Sequence, residues 1–229
     1  MLSGGAYFGN EMHLLRTIAV LDQLQEEYGV TFASGSRELA QSPEPVVVKE
    51  GKLTVCICPG FMNVKEQLDR AVSALKENDY SMVMAVMASE NMMEYCWEDQ
   101  IDFGMIDCFS EENQQHFLKG ELSYLAGKYS SMIGPSFVAM YNALCGYADE
   151  FRVDGKAFSL TQGFWEASSQ EEYLEKYALA SGIYVNAYNY DDLYSVCKIY
   201  HPEATMEDLE KLTGAYTFEE AAKRRKTNK

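Results

Sequence analysis

Three apolar runs of strand length, separated by stretches with helical spacing, constrain this chain more than any other feature. Leu53-Thr54-Val55-Cys56-Ile57-Cys58 is stopped by Pro59-Gly60, Met82 to Ala88 is continuous, and residues 101–106 form the third. Between them Val64, Leu68, Ala71, Val72 and Leu75 mark a helix across 63–77, and Ser89 to Trp97 reads as a short one. Runs this apolar belong to strands covered on both faces. Strand–helix–strand repetition then implies a parallel sheet with right-handed crossovers. The expectation is a three-layer α/β/α sandwich.

Upstream, Leu14, Leu15, Ile18, Leu21 and Leu24 predict an amphipathic helix over 12–28, ended near Gly29. Val30 to Ala33 reads as a short strand. Residues 34–51 read as a loop with a small edge strand at Val46–Val48. Downstream, Ser110 to Phe117 is a polar helical segment, 131–145 an apolar helix, and Phe158 to Phe164 a strand. The rest is helical: Ser169 with Glu172, Thr205 with Asp208 and Thr217 with Glu220 have the spacing of N-terminal capping pairs.

The chain has 229 residues and a formal net charge of −16. A phosphate backbone needs clustered Lys and Arg, so this balance excludes a nucleic-acid partner from the reading and disfavours an anionic membrane. The one basic run, Lys223 to Lys226, reads as a solvated tail. Six Cys are scattered without a C-x-x-C, and His13, His116 and His201 are the only histidines. No zinc site is expected, and most thiols read as small core residues. Gly4 to Gly9 has the glycine spacing of a phosphate loop, but Asn10-Glu11 stand where Lys-Ser/Thr is needed. Cys108 beside Asp107 lacks an evident base, so a cysteine nucleophile is not favoured. Met1 to Gly5 carries no basic and apolar leader pattern, and no apolar run is long enough to span a bilayer. The expected location of the chain as it stands is cytoplasmic.

The order Asp102 to Asp107, Gly120-Glu121-Leu122, Ala126-Gly127-Lys128, Ile133-Gly134-Pro135, then Met140 to Leu144 resembles the back half of type I periplasmic sugar-binding proteins of ABC importers. Tyr7-Phe8-Gly9-Asn10-Glu11 is similar to the family's crossing into its second lobe. The β-α units through residue 107 resemble that lobe. Gly120 to Gly134 resembles the return toward the first lobe, Ser136 to Tyr147 a helix packed on it, and Phe158 to Trp165 the final strand. The resemblance implies a fragment lacking the first lobe and the export signal, extracytoplasmic and membrane-associated if an upstream signal was lost. It divides the chain into a second-lobe domain (1–128), a hinge and first-lobe remnant (129–165) and a helical extension (166–229). It implies a sugar or polyol ligand, no cofactor and no catalysis, with an ABC permease as partner of a full-length form. The helix at 131–145, left uncovered, would dimerise, aggregate or be covered by the extension.

Ligands of open α/β sheets sit beyond the carboxyl ends of the strands. Those ends supply Phe61 and Asn63, then Ser89, Glu90 and Asn91, then Asp107. Carboxylates and amides suit sugar hydroxyls, and aromatic faces suit sugar C–H groups. Phe164 and Trp165 close the last expected strand, Arg37 stands in a nearby loop, and the resemblance puts Lys128 at the hinge. Each has an ordinary alternative. Asp107, Glu90 and Asn91 suit helix N-termini, Trp165 a buried anchor, and Lys128 and Arg37 solvent. Two other functions stay open: an α/β enzyme acting on a small polar metabolite, and an interaction protein docking a partner through 131–145.

Overall fold

The computed structural model describes residues 1–4, 11–107, 110–127, 133–160, 165–180 and 188–227. It is mixed α/β, with a mostly parallel sheet flanked by helices, and belongs to the α/β/α class. The chain forms two compact units, Met1–Leu125 and Ala126–Lys229.

The first unit is built on β1 (Leu2–Gly4), β2 (Val46–Glu50), β3 (Leu53–Pro59), β4 (Met82–Ala85), β5 (Asp102–Ile106) and the start of β6 (Tyr124–Gly127). Their order is β2-β3-β1-β4-β5-β6. β1 runs parallel to both β3 and β4, and β4 parallel to β5. Val55, Cys56, Ile57 and Cys58 of β3 are all buried, which is why that run shows no alternation. β2 is antiparallel to β3 across the two-residue loop Gly51-Lys52, and its half-exposed pattern with Lys49 and Glu50 is that of an edge. Helices α1 (Glu11–Tyr28), α3 (Lys65–Lys76), α4 (Met93–Glu98) and α5 (Glu111–Lys119) lie near the predicted places.

The strand expected at Val30–Ala33 does not form. Gln25 accepts from the Phe32 N–H and donates to Ser36, while the Ser36 hydroxyl donates to Asp22. These side chains fold the segment back on α1 and lead it into α2 (Gly35–Ala40), instead of a loop. Phe32 still enters the core beside Leu14, Leu21 and Leu39. Strand β1 had no signature in the sequence, yet it is central. It ends on Gly4 at φ 151°, where a Cβ would stand 2.3 Å from Val86 Cγ2.

The second unit holds α6 (Ile133–Asn142), the β7 (Arg152–Val153) and β8 (Lys156–Ala157) hairpin, and β9 (Trp165–Ala167), which follows β6 in the sheet order. Helices α7 (Gln170–Ala180), α8 (Tyr190–Ser195), α9 (Met206–Gly214) and α10 (Phe218–Thr227) complete it. The hairpin turns on Asp154 and Gly155, both at positive φ, as an Asp-Gly pair favours. Among the described residues the last strand is Trp165–Ala167, and Phe158 to Leu160 form no strand where one was expected over 158–164; 161–164 lie outside the described residues. Phe158 and Leu160 instead pack on a core of Val138, Phe151, Val196 and Leu209. The C-terminal extension therefore covers one side of α6. Asn142 binds it in both directions, donating to Val196 O and accepting from the Lys198 N–H. Ile133, Phe137, Met140 and Leu144 remain exposed.

Candidate functional site

The strand order β3-β1-β4-β5-β6 reverses direction at β1. The chain first moves from β1 to β3, then crosses back over β1 to β4 and onward. In doubly wound sheets this switch point leaves a crevice beyond the strand ends, between the two connections that diverge there. Because β1, β3, β4 and β5 are parallel, their carboxyl ends share one edge of the sheet. That edge carries Gly4, then Gly60 and Phe61, then Val86 to Asn91, then Asp107.

Arg16 of α1 is the centre of this edge. Its Nη1 donates to Val86 O at 2.9 Å and to Asp107 Oδ2 at 2.7 Å, and its Nη2 contacts Met12 Sδ. The guanidinium side chain is 5% exposed and the carboxylate 33%. One cation thus ties the ends of β4 and β5 together and holds Asp107 at the carboxyl-end edge of the sheet. Asp107 sits at φ 76°, a left-handed conformation that Asp tolerates better than most residues. The charge-assisted pair is of the strong kind, and the exposed part of the carboxylate keeps acceptor capacity.

Other candidates gather on the same edge. Asn91 donates from Nδ2 to Met62 O at 3.1 Å, joining the β4 exit to the β3 exit. The Phe61 N–H is held by Gln67 Oε1, and Gly60 N donates to Gly4 O. Asn63 is exposed, Glu90 half-buried and Ser89 buried. Neither Ser89 nor Met92 caps its helix with a side-chain bond.

Three expectations fare differently. Trp165 does not offer a face to a ligand. It is 3% exposed, its ring stacked 4.8 Å from Tyr216 and edge-on to Phe218 inside the second unit. The anchor reading describes it, because Trp165 opens β9 packed on Tyr216 and on Phe218 of α10. Arg37 is an exposed residue of α2, not of a loop. Lys128 and Phe164 lie outside the described residues.

Two residues of the edge had no place in the sequence reading, Arg16 and His13. Both are buried, with His13 edge-on to the Phe61 ring at 6.3 Å. Leu15, taken as part of the apolar face, is instead exposed. The signal was His13-Leu14-Thr17-Leu21, a helical face on which polar residues alternate with apolar ones.

Burial pushes the Cys58 and Cys96 thiols up to about 12 and raises Cys56, which keeps them protonated and unreactive. Among the described residues no cluster of His, Cys, Asp and Glu is arranged to hold a metal, and no helix is long and apolar enough to cross a membrane. Comparison of the chain with protein-family models, curated proteins and solved structures gives no match in any of the three.

Proposed function

We propose that the first unit is a non-catalytic ligand-binding lobe for a small polyhydroxylated molecule, a sugar or polyol, similar in kind to the second lobe of a type I solute-binding protein. The observation that carries this is the Arg16–Asp107 pair at the switch point. A carboxylate fixed by a buried guanidinium, and one-third exposed to solvent, is an acceptor for adjacent hydroxyls. Phe61 at the exit of β3 supplies an apolar face on the same sheet edge, while Asn63, Glu90 and Asn91 supply further polar contacts. In such proteins two lobes close on the ligand. One lobe alone contacts one side of it, so binding by this chain is weak, with a dissociation constant on the order of 1 mM, or roughly −4 kcal/mol.

Titration calorimetry with a panel of pentoses, hexoses and inositols tests the reading. At least one should bind with millimolar affinity, and Asp107→Asn should weaken it about tenfold, the scale of one charge-assisted hydrogen bond. No binding across the panel, or full binding by Asp107→Asn, would overturn it. Buried His13 beside Phe61 favours a second reading, an enzyme using imidazole as acid or base. In the binding reading His13→Gln keeps sugar affinity within a few-fold. A turnover that His13→Gln abolishes would move the assignment to catalysis.

A further inference from the structure

The opposite edge of the first unit carries a second concavity. Helix α4 ends at Glu98, and β5 begins at Asp102, so the turn between them lies at the amino end of β5. There Trp97, Glu98, Gln100, Ile101, Asp102 and Gly120 line a shallow depression of about 610 Å³. That volume lies within the rough 300–1,000 Å³ range of small-molecule sites.

Its floor follows from a helix end. Gly120 closes α5 in the left-handed conformation at φ 76°, as C-terminal caps require. With no side chain there, the Trp97 ring rests over bare backbone: a Cβ on Gly120 would be 3.6 Å from its Cζ3. The indole is thereby supported on one side, yet Trp97 remains 52% exposed. A supported and open indole is an uncommon surface feature, in contrast with the enclosed Trp165.

The polar lining has one sign. Glu98 and Asp102 are exposed carboxylates, and Asp102 is oriented by the Ser123 hydroxyl at 2.9 Å. Among the described residues no Lys or Arg lines the depression. The adjacent Lys119 ammonium and His116 imidazole both face Glu121, at 3.9 and 2.6 Å. The whole chain at −16 adds an attractive field for cations. We propose that this depression binds a small organic ammonium ion, with the Trp97 face taking the alkylated cation and Glu98 and Asp102 taking its charge. Indole is the best side-chain partner for such a cation and a poor ligand for a metal. Two carboxylates with no cationic side chain among the described lining residues disfavour an anion.

The full chain is titrated with tetramethylammonium and with methylammonium, using sodium chloride at matched ionic strength as the control. Calorimetry and the emission difference between the native chain and Trp97→Phe are the readouts. The expected result is saturable binding at millimolar concentration, absent with sodium. Trp97→Leu should weaken it by about tenfold, while Trp97→Phe retains most of it. Glu98→Gln should weaken it several-fold with an unchanged circular dichroism spectrum. Tetramethylammonium binding better than methylammonium supports recognition by the ring. No saturable signal, an equal response to sodium, or unchanged affinity in Trp97→Leu would overturn the proposal. A sugar that binds at the switch point should leave the ammonium affinity unchanged, which keeps a failure of this proposal distinguishable from a failure of the sugar reading.

Discussion

The two units enclose their apolar surface in different ways. Among the described residues the first has a layered cluster, in which Leu2, Val55 and Ile57 of the sheet meet Leu14, Leu21 and Leu39 of the helices. The second has separate smaller clusters, one aromatic around Trp165, Tyr188 and Tyr216, the other around Val138, Phe151 and Leu209. Parallel strands with short exits bring polar residues from distant sequence positions to one edge, as with Arg16, Asn91 and Asp107. Clusters built from short helices keep their rings for mutual packing. That is why an aromatic residue at a strand end is a ligand candidate in the first unit and a structural anchor in the second.

Trp165→Ala should have the largest effect. It removes a ring stacked on Tyr216 and edge-on to Phe218, at a cost of about 3–5 kcal/mol. Amide exchange should show the loss first in α7 and α10, with β3 and β4 still protected. Equal loss of protection in β3 and β4 would break the contrast between the units. Gly4→Ala should cost about 3 kcal/mol by urea unfolding, since its Cβ would overlap Val86 and its φ of 151° disfavours a side chain.

The next effect is a pH dependence confined to the first unit. The Met1 ammonium is buried and donates to Met82 O, and desolvation lowers its pKa from 8.0 to about 6. Between these values the unfolded chain binds more protons than the folded one, so stability rises with pH. The gain from pH 6 to pH 8 is about 1.9 kcal/mol, out of roughly 2.7 kcal/mol over the whole titration. Urea midpoints at the two pH values measure it, and N-terminal acetylation should remove that part of the slope. The smallest effect belongs to Thr205→Ala, which breaks the capping box at the start of α9 and should cost about 1 kcal/mol.

Much of the first unit was legible because its strands are covered on both faces and its helices are amphipathic. Asp107 and Asn91 were placed on the carboxyl-end edge by reading where the strands stop, and they lie there. What escaped has physical reasons. Three-residue β1 is too short to show a period, and its role comes from its neighbours β3 and β4. Phe32 looked like part of a strand because it is apolar, while Gln25 and Ser36 decided its backbone. Arg16 was hidden because its partners, Val86 O and Asp107, are 70 and 91 residues away. The Thr205–Asp208 cap was visible as a local pair, and the similar Asn189–Asp192 box could have been read by the same spacing.

The most direct test of the central claim is a residue-resolved map of amide shifts during titration with a sugar that binds. The switch-point account predicts that Phe61, Ser89, Asn91 and Asp107 shift together with one dissociation constant, and that the Arg16 guanidinium signal moves with them. Shifts confined to other surfaces, with these five residues unmoved, would contradict it.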